Sequence, residues 1–286
     1  MNICFYAAGP KSGLDNNGGT RTNLKSAEVL RNLGHEVSVV ATYDKFTWFP
    51  HPAPVAHVPK DADVIVAVTC NDIKNALKHG KPVVYWCRGV ELWKMPEAKI
   101  IQRASMCDRV ICNAQHLVDW MHKNYVDAEL CYAGMDLDFW KDYGNHQKGV
   151  VGGLINYRHK TKRSDIVEQL ATKTAGGFYT EQQMRGLYNE CAIWLSPSEN
   201  EGFHQCPCEA ALCGCLVIGN RGSCGGTRDW LDNTTGHLFS TVEEARKAIE
   251  YPDYSLVENA KMIIKHKIGS RDKNMERFVK LCQSLL

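Results

Sequence analysis

No apolar run in this chain approaches the roughly 20 residues that a helix needs to cross a bilayer, so the hydropathy pattern contains no membrane span. Neither sign of charge is in excess. The 34 Lys and Arg against 32 Asp and Glu leave a net +2, too weak a field to mark nucleic acid or a membrane surface as partner. The opening Met1-Asn-Ile-Cys-Phe-Tyr6 lacks a basic segment ahead of its apolar one and reads as a strand. No secretory signal is expected, and the cytoplasm is the expected compartment. Low-complexity tracts and short-period repeats are missing. So is the G-x-G-x-x-G fingerprint between the first strand and the first helix, which argues against a dinucleotide-dependent oxidoreductase.

Cysteine, by contrast, is plentiful: thirteen residues, an odd number. Without a secretory signal these read as reduced thiols. Cys206, Cys208, Cys213 and Cys215 invite a metal reading, but C-x-C is not the C-x2-C knuckle and the four straddle a predicted helix. Packing is the stronger expectation, with no metal. The 286 residues, 44% hydrophobic and 23% charged, suit two soluble domains with adequate cores.

The informative stretch is Ser196 to Gly219. Cys191–Leu195 is a short apolar run ending in Ser-Pro-Ser, which suits a buried strand followed by a loop. A helix is expected from about Pro207, Gly214 can end it, and Leu216–Ile218 begins another strand. Glu201 and Glu209 stand in this unit with seven residues between them. Unpaired N–H groups at a helix start favour an anion such as phosphate. A carboxylate beside phosphate is tolerable where it accepts bonds from hydroxyls. Anion-binding amides with two hydroxyl-seeking acids suggest a nucleotide sugar as ligand.

Elsewhere strands alternate with helices, which implies parallel sheets covered on both faces. Strands are expected at 2–8, 36–41, 64–68, 83–86, 109–112 and 129–132. A helix begins near Thr20 after a Gly-rich loop, and another spans 114–125. Residues 43–60, rich in aromatics, proline and histidine, form no clear element; Trp48, Phe49 and His51 suit either an acceptor lip or a loop over the sheet edge. Lys141–Lys148 reads as a linker, and a second βα series starts at Gly149. From Tyr251 the pattern is helical, with Met275, Phe278, Val279 and Cys282 at spacings of three and four.

The stretch around Glu201 resembles the signature of retaining glycosyltransferases of the GT-B fold, family four in particular, E-G-F-G-x-x-x-x-E-A-x-A-x-G-x-P-V-I. Glu201, Gly202, Phe203, Glu209, Ala210, Gly214, Val217 and Ile218 match. His204 stands where glycine is usual, and Leu216 where proline is usual. Tyr132–Phe139 resembles the family's N-G-V-D-x-x-x-F segment. The resemblance implies an α/β fold of two Rossmann-like parallel-sheet domains facing across a cleft. These would be an acceptor-side domain at 1–143, a nucleotide-sugar domain at 144–267, and a terminal helix at 268–286 crossing back to the first.

It further implies transfer of a sugar from a nucleoside-diphosphate sugar to a hydroxyl, with retention of configuration and no metal or other cofactor. Glu201 would hydrogen-bond the sugar and Glu209 the ribose. Gly202 belongs to the donor loop, and the N–H groups of Phe203, His204 and Gln205 would meet phosphate or sugar oxygens. Gly18 and Gly19 would allow close approach of the donor. The diphosphate would be met by a basic pair, here Arg158 and Lys162, because Gly153 occupies the place of the family's arginine. Arg88 stands where histidine is common in P-V-V-x-x-x-H-G-x-E/D. It reads either as a determinant of donor or acceptor choice, or as a structural partner of Glu91 or Asp108.

The chain is compact for the family, as virus-encoded members can be, which would make the compartment the host cytoplasm. Some of those members glycosylate hydroxylated pyrimidines in DNA, so DNA stands beside glycan, protein and small-molecule acceptors. The helix near Thr20 carries Arg21, Lys25 and Arg31 but no aromatic stripe, which argues for a soluble acceptor. A nucleotide-sugar epimerase, a phosphorylase of the same fold, and a non-catalytic nucleotide-sugar binding protein remain the alternatives.

Overall fold

The structure, a computed structural model, describes every residue except Pro10, Lys11, Trp93, Gly177 and Phe178. Pro10 and Lys11 of the expected Gly-rich loop, and Trp93 beside the expected Arg88–Glu91 motif, therefore lie outside the described residues. The chain divides into two units, Met1–Gly134 with Arg271–Leu286, and Met135–Ser270.

In the first unit the described strands are β1 (Asn2–Ala7), β2 (Glu36–Ala41), β3 (Val64–Ala67), β4 (Val83–Cys87), β5 (Arg109–Cys112) and β6 (Glu129–Leu130). They form a parallel sheet in the order β2-β1-β3-β4-β5-β6. β3 and β4 are buried at every position, the expectation for a parallel sheet with both faces covered. The helices are α1 (Gly18–Asn32), α2 (Ile73–Ala76), α3 (Glu97–Ala104) and α4 (Gln115–Lys123). The terminal helix, Arg271–Gln283, belongs to this unit and buries Met275, Phe278, Val279 and Cys282. Phe278 stacks on Phe5 and Trp86, with centroids 6.3 and 5.3 Å away. Trp48 and Phe49 flank Phe46 at 5.6 and 4.9 Å and pack on the same core. The aromatic loop is thus a cover for the sheet.

The second unit carries β7 (Gln147–Leu154), α5 (Ser164–Leu170), β8 (Lys173–Ala175), α6 (Glu181–Glu190), β9 (Cys191–Ser196), α7 (Gln205–Leu212), β10 (Leu216–Asn220), β11 (His237–Phe239), α8 (Val242–Glu250) and α9 (Leu256–Ile263). The chain reaches α10, the terminal helix, through a π-helical segment, Ile264–Ile268. The strands pair in parallel in the order β11-β10-β9-β7-β8. Val151, Ile193, Leu195, Leu216, Ile218 and Phe239 supply the sheet's share of one core, while Trp194 meets Tyr188 edge-on at 4.7 Å on the other face.

Two stretches differ from expectation. Residues 141–148, expected as a linker, are fastened into the second unit. Lys261 Nζ donates to Asp142 Oδ2 at 2.7 Å, and His146 Nδ1 lies 2.7 Å from the Cys191 carbonyl. Residues 251–255 are not helical; the helices there are α8 and α9, and the former ends at Glu250.

Candidate active site

Chain order in the second sheet fixes where a ligand can sit. β7 is followed by β8 on one side, whereas β9, β10 and β11 build outward on the other. The direction of winding therefore reverses between β7 and β9, and helices leave a crevice at the carboxyl ends of such a strand pair. A small, open pocket with a cavity volume of about 20 Å³ lies there, lined by Leu154, Asn156, Lys162, Ser196, Glu201 and His204 among others.

Its polar centre is Glu201. Lys162 Nζ, from the short helical turn Lys160–Lys162, reaches both carboxylate oxygens at 2.5 and 2.6 Å. Ser198 Oγ donates to Oε1 at 2.7 Å, and His204 Nε2 stands 3.5 Å from the same oxygen. Burial pushes the Glu201 carboxyl up, but His204, Lys162 and Ser198 together outweigh it and hold the group below its ordinary value. It is an anion in the folded protein. Burial pushes His204 down and Lys162 adds to this; the Glu201 charge offsets only part, so the imidazole is neutral at pH 7.

The loop that carries these groups is pinned from behind. The Glu201 N–H donates to the Cys224 carbonyl at 2.9 Å and Gly226 N–H to the Gly202 carbonyl at 2.6 Å. Phe203 is 3% exposed and anchors the turn in the core. α7 starts at Gln205, earlier than the sequence suggests. Pro207 fits inside its first turn because the N–H it lacks has no intrahelical acceptor there. His204 caps α7 with φ 60° and ψ 76°, a left-handed backbone that explains why glycine suits this position.

Glu209 is placed differently. It lies on α7, is 2% exposed, and accepts the Tyr188 hydroxyl at 3.2 Å. The structure brings Lys162, Glu201 and His204 together around the pocket, with Gly202 and Phe203 on the same loop and Gln205 opening α7, while Glu209 is not among the lining residues. Arg158 sits on an exposed turn, its backbone N–H bonded to Asn156 Oδ1 at 3.0 Å. A Cβ at Gly153 would stand 2.5 Å from Val167 Cγ1 of α5. No arginine fits where α5 packs so closely on β7.

Among the described residues no group of three or more His, Cys, Asp or Glu side chains gathers to hold a metal ion. Cys213 and Cys215, just beyond α7, are fully buried packing groups. Cys215 Sγ donates to the carbonyls of Tyr188 and Cys191 at 3.0 and 3.2 Å, and burial pushes the Cys213 thiol up to about 12.

The first unit has its own reversal, between β1 and β3. Arg88 lies at this end of its sheet. Its guanidinium donates to the Gly19 carbonyl at 2.9 Å, to the Val68 carbonyl at 2.8 Å, and to Asn23 Oδ1. Burial lowers its pKa to about 10. Of the acids expected as structural partners, Glu91 accepts the Cys70 N–H at 2.7 Å while its charge raises the Arg88 pKa against burial, and Asp108 accepts the Val83 N–H at 2.8 Å. Gly18 and Gly19 open α1 behind the Asn17 cap, whose side chain accepts the Thr20 N–H. Gly18 is exposed, and a Cβ there would meet nothing within 4 Å.

Sequence reasoning left the His204 side chain, Ser198 and Asn156 unassigned. A histidine in place of the usual glycine was the one available signal for the first.

No family model and no curated protein matches the chain. Solved structures do. HepE from Anabaena, in complex with UDP and glucose, is similar at a TM-score of 0.78 and 15% identity, over 99% of this chain and 100% of that one. Sucrose-phosphate synthase from Thermosynechococcus elongatus is similar at 0.77 and 12% identity, over 100% and 99%. An alpha-glucosyltransferase in complex with UDP and a 13-mer DNA is similar at 0.67 and 13% identity, over 99% of both chains. The fold is that of GT-B glycosyltransferases, with two Rossmann-like parallel-sheet units.

Proposed function

We propose that this protein transfers a sugar from a nucleoside-diphosphate sugar to a hydroxyl acceptor with retention of anomeric configuration. The observation that carries the reading is the buried Lys162–Glu201–Ser198 network in a pocket at the winding reversal of the second sheet. An anionic carboxylate there can accept sugar hydroxyls, while Lys162, Arg158 and the amides at the start of α7 meet the departing diphosphate. Similarity of fold to proteins solved with UDP supports a nucleotide-sugar donor. Glu209 is assigned the ribose hydroxyls, with Tyr188 steadying one of its oxygens. Gly18 and Gly19 are assigned close approach of the substrate, and Arg88 the choice of donor or acceptor.

Negative charge develops on the leaving diphosphate as the glycosidic bond breaks. In a front-face reaction the leaving phosphate takes the proton of the acceptor hydroxyl, so no protein nucleophile is assigned. The diphosphate is met by side-chain cations and amides, and the reaction is proposed to run without metal in the cytoplasm. A hydroxylated pyrimidine in DNA is the acceptor proposed first, because one protein of the same fold was solved with DNA and UDP.

The test is a thermal-shift screen of nucleoside diphosphates and their sugars, since a ligand of the folded state raises its stability. It is followed by mass spectrometry and anomer assignment of the product formed on DNA containing 5-hydroxymethylpyrimidine, with and without EDTA. The expected result is a retained-configuration glycoside formed in both conditions, with Glu209→Gln weakening nucleotide binding by about 1–3 kcal/mol. Turnover of the nucleotide sugar with no acceptor would mark an epimerase, and dependence on inorganic phosphate a phosphorylase. Nucleotide binding without transfer to DNA, glycan, protein or small-molecule hydroxyls would mark a binding protein.

A further inference from the structure

His204 pays a backbone cost for its position. Only three non-glycine residues among those described have a positive φ: Tyr125, Arg163 and His204. Tyr125 is 99% exposed at the end of α4, and Arg163 opens onto Asp165 and Glu199 at the surface. His204 alone carries its side chain inward, 12% exposed, against a partner that is 10% exposed. A left-handed backbone is unfavourable at a non-glycine residue, and such strain persists where the side chain has a compensating use.

We propose that His204 is a positioning residue that aims one oxygen of the Glu201 carboxylate at the transferred sugar; this rests on the transfer reading above. The ring's two nitrogens face different chemistry. Nδ1 lies 3.4 Å from both Ser196 Oγ of β9 and Thr227 Oγ1 of the turn Gly226–Asp229. Either hydroxyl can donate to it. The Glu201 anion favours the proton on Nε2, the ring nitrogen 3.5 Å from Oε1, and leaves Nδ1 as the acceptor. Ser198 donates to the same oxygen, and Lys162 reaches both. A carboxylate offers about four acceptor directions. With two on each oxygen, Lys162 and Ser198 take both of those on Oε1 and Lys162 takes one on Oε2, while the ring stands at the longer 3.5 Å beside Oε1; Oε2 is the oxygen with a direction left for a sugar hydroxyl. Without the imidazole, Glu201 loses the contact on one side and is held by Lys162 and Ser198 alone.

The ionisable groups facing the ring are Glu201 from its own loop and Lys162 from the turn Lys160–Lys162. Protonation puts a full charge on the ring beside Lys162, forbids Nδ1 from accepting, and draws Glu201 toward the ring. Transfer should therefore fall in acid as His204 protonates.

The experiment compares wild type with His204→Gly, which suits the backbone, and His204→Asn, which tolerates it and restores a donor. His204→Gly is expected to retain the wild-type near-UV dichroism and to bind UDP alone within about twofold, because no role in holding the nucleotide is assigned to the ring. Its kcat should drop at least tenfold with loss of the acid limb of the pH profile, and His204→Asn should recover part of kcat. Unchanged kcat and pH profile in His204→Gly would overturn the proposal. A second readout needs no turnover: the NMR titration of the His204 ring. Its midpoint should lie below 6.5 and fall further in Glu201→Gln, where the charge that raises it is gone; identical midpoints would overturn the contact. If wild type binds nucleotide sugar but moves sugar to no acceptor, the transfer reading falls and the positioning role with it, whatever the ring titration shows.

Discussion

At the scale of single residues, two positions separate what the fold needs from what a substrate would need. Arg88 joins the first turn of α1 to the end of β3 through the carbonyls of Gly19 and Val68. Arg88→Ala removes these charge-assisted bonds and should cost about 2–3 kcal/mol, read as a lower denaturation midpoint. A change in donor preference must then be measured against that loss. Gly18 is the opposite case. Nothing in the protein crowds it and its φ is not positive, so Gly18→Ala should raise stability by up to about 1 kcal/mol through helix propensity. If a substrate approaches the backbone there, the same variant should lose affinity for the nucleotide sugar while gaining stability. Gains in both would remove Gly18 from the site.

At the scale of elements, the contact of α5 with β7 decides how the diphosphate pocket differs from the family pattern. With 2.5 Å between a Cβ at Gly153 and Val167 Cγ1, Gly153→Ala should destabilise the second unit by about 1–3 kcal/mol, and an arginine by more. A denaturation midpoint unchanged in Gly153→Ala would mean that α5 shifts freely. This packing was beyond the reach of the sequence, because it depends on a helix distant from the glycine. Periodicity alone made most of the sheets legible: β3 and β4 are unbroken apolar runs, and the strand, loop and helix around Glu201 follow their turn residues. It did not reveal α8, although Thr241 and Glu244 form a capping signal there and the Thr241 side chain accepts the Glu244 N–H. Nor could it show that residues 141–148 are held by Lys261, whose sequence separation from Asp142 hides the pair. Glu201 and Glu209 were legible as a pair, but the fold divides them: one lines the pocket and the other, on α7, meets Tyr188.

At the scale of the whole molecule, the groups that build the pocket should make folding sensitive to acid. His204 has a folded pKa below its ordinary value of 6.5. In that case the unfolded chain binds a proton that the folded one refuses, and stability present above pH 6.5 declines as the pH falls toward the folded pKa. Glu201 is also depressed, from 4.5, so its contribution is present above that value and is lost at still lower pH. Asp72 runs the other way: burial raises its pKa, and acid relieves the cost of its buried charge. His35 is lowered by burial as well, so wild type alone does not isolate the pocket. The comparison that does is denaturation of wild type and His204→Asn at pH 7.5 and 5.5. Wild type should lose more stability between the two, by at most about 1.4 kcal/mol per pH unit for a single proton. Equal losses would mean that the His204 ring takes up its proton as readily in the folded pocket as in the open chain, against the burial that surrounds it.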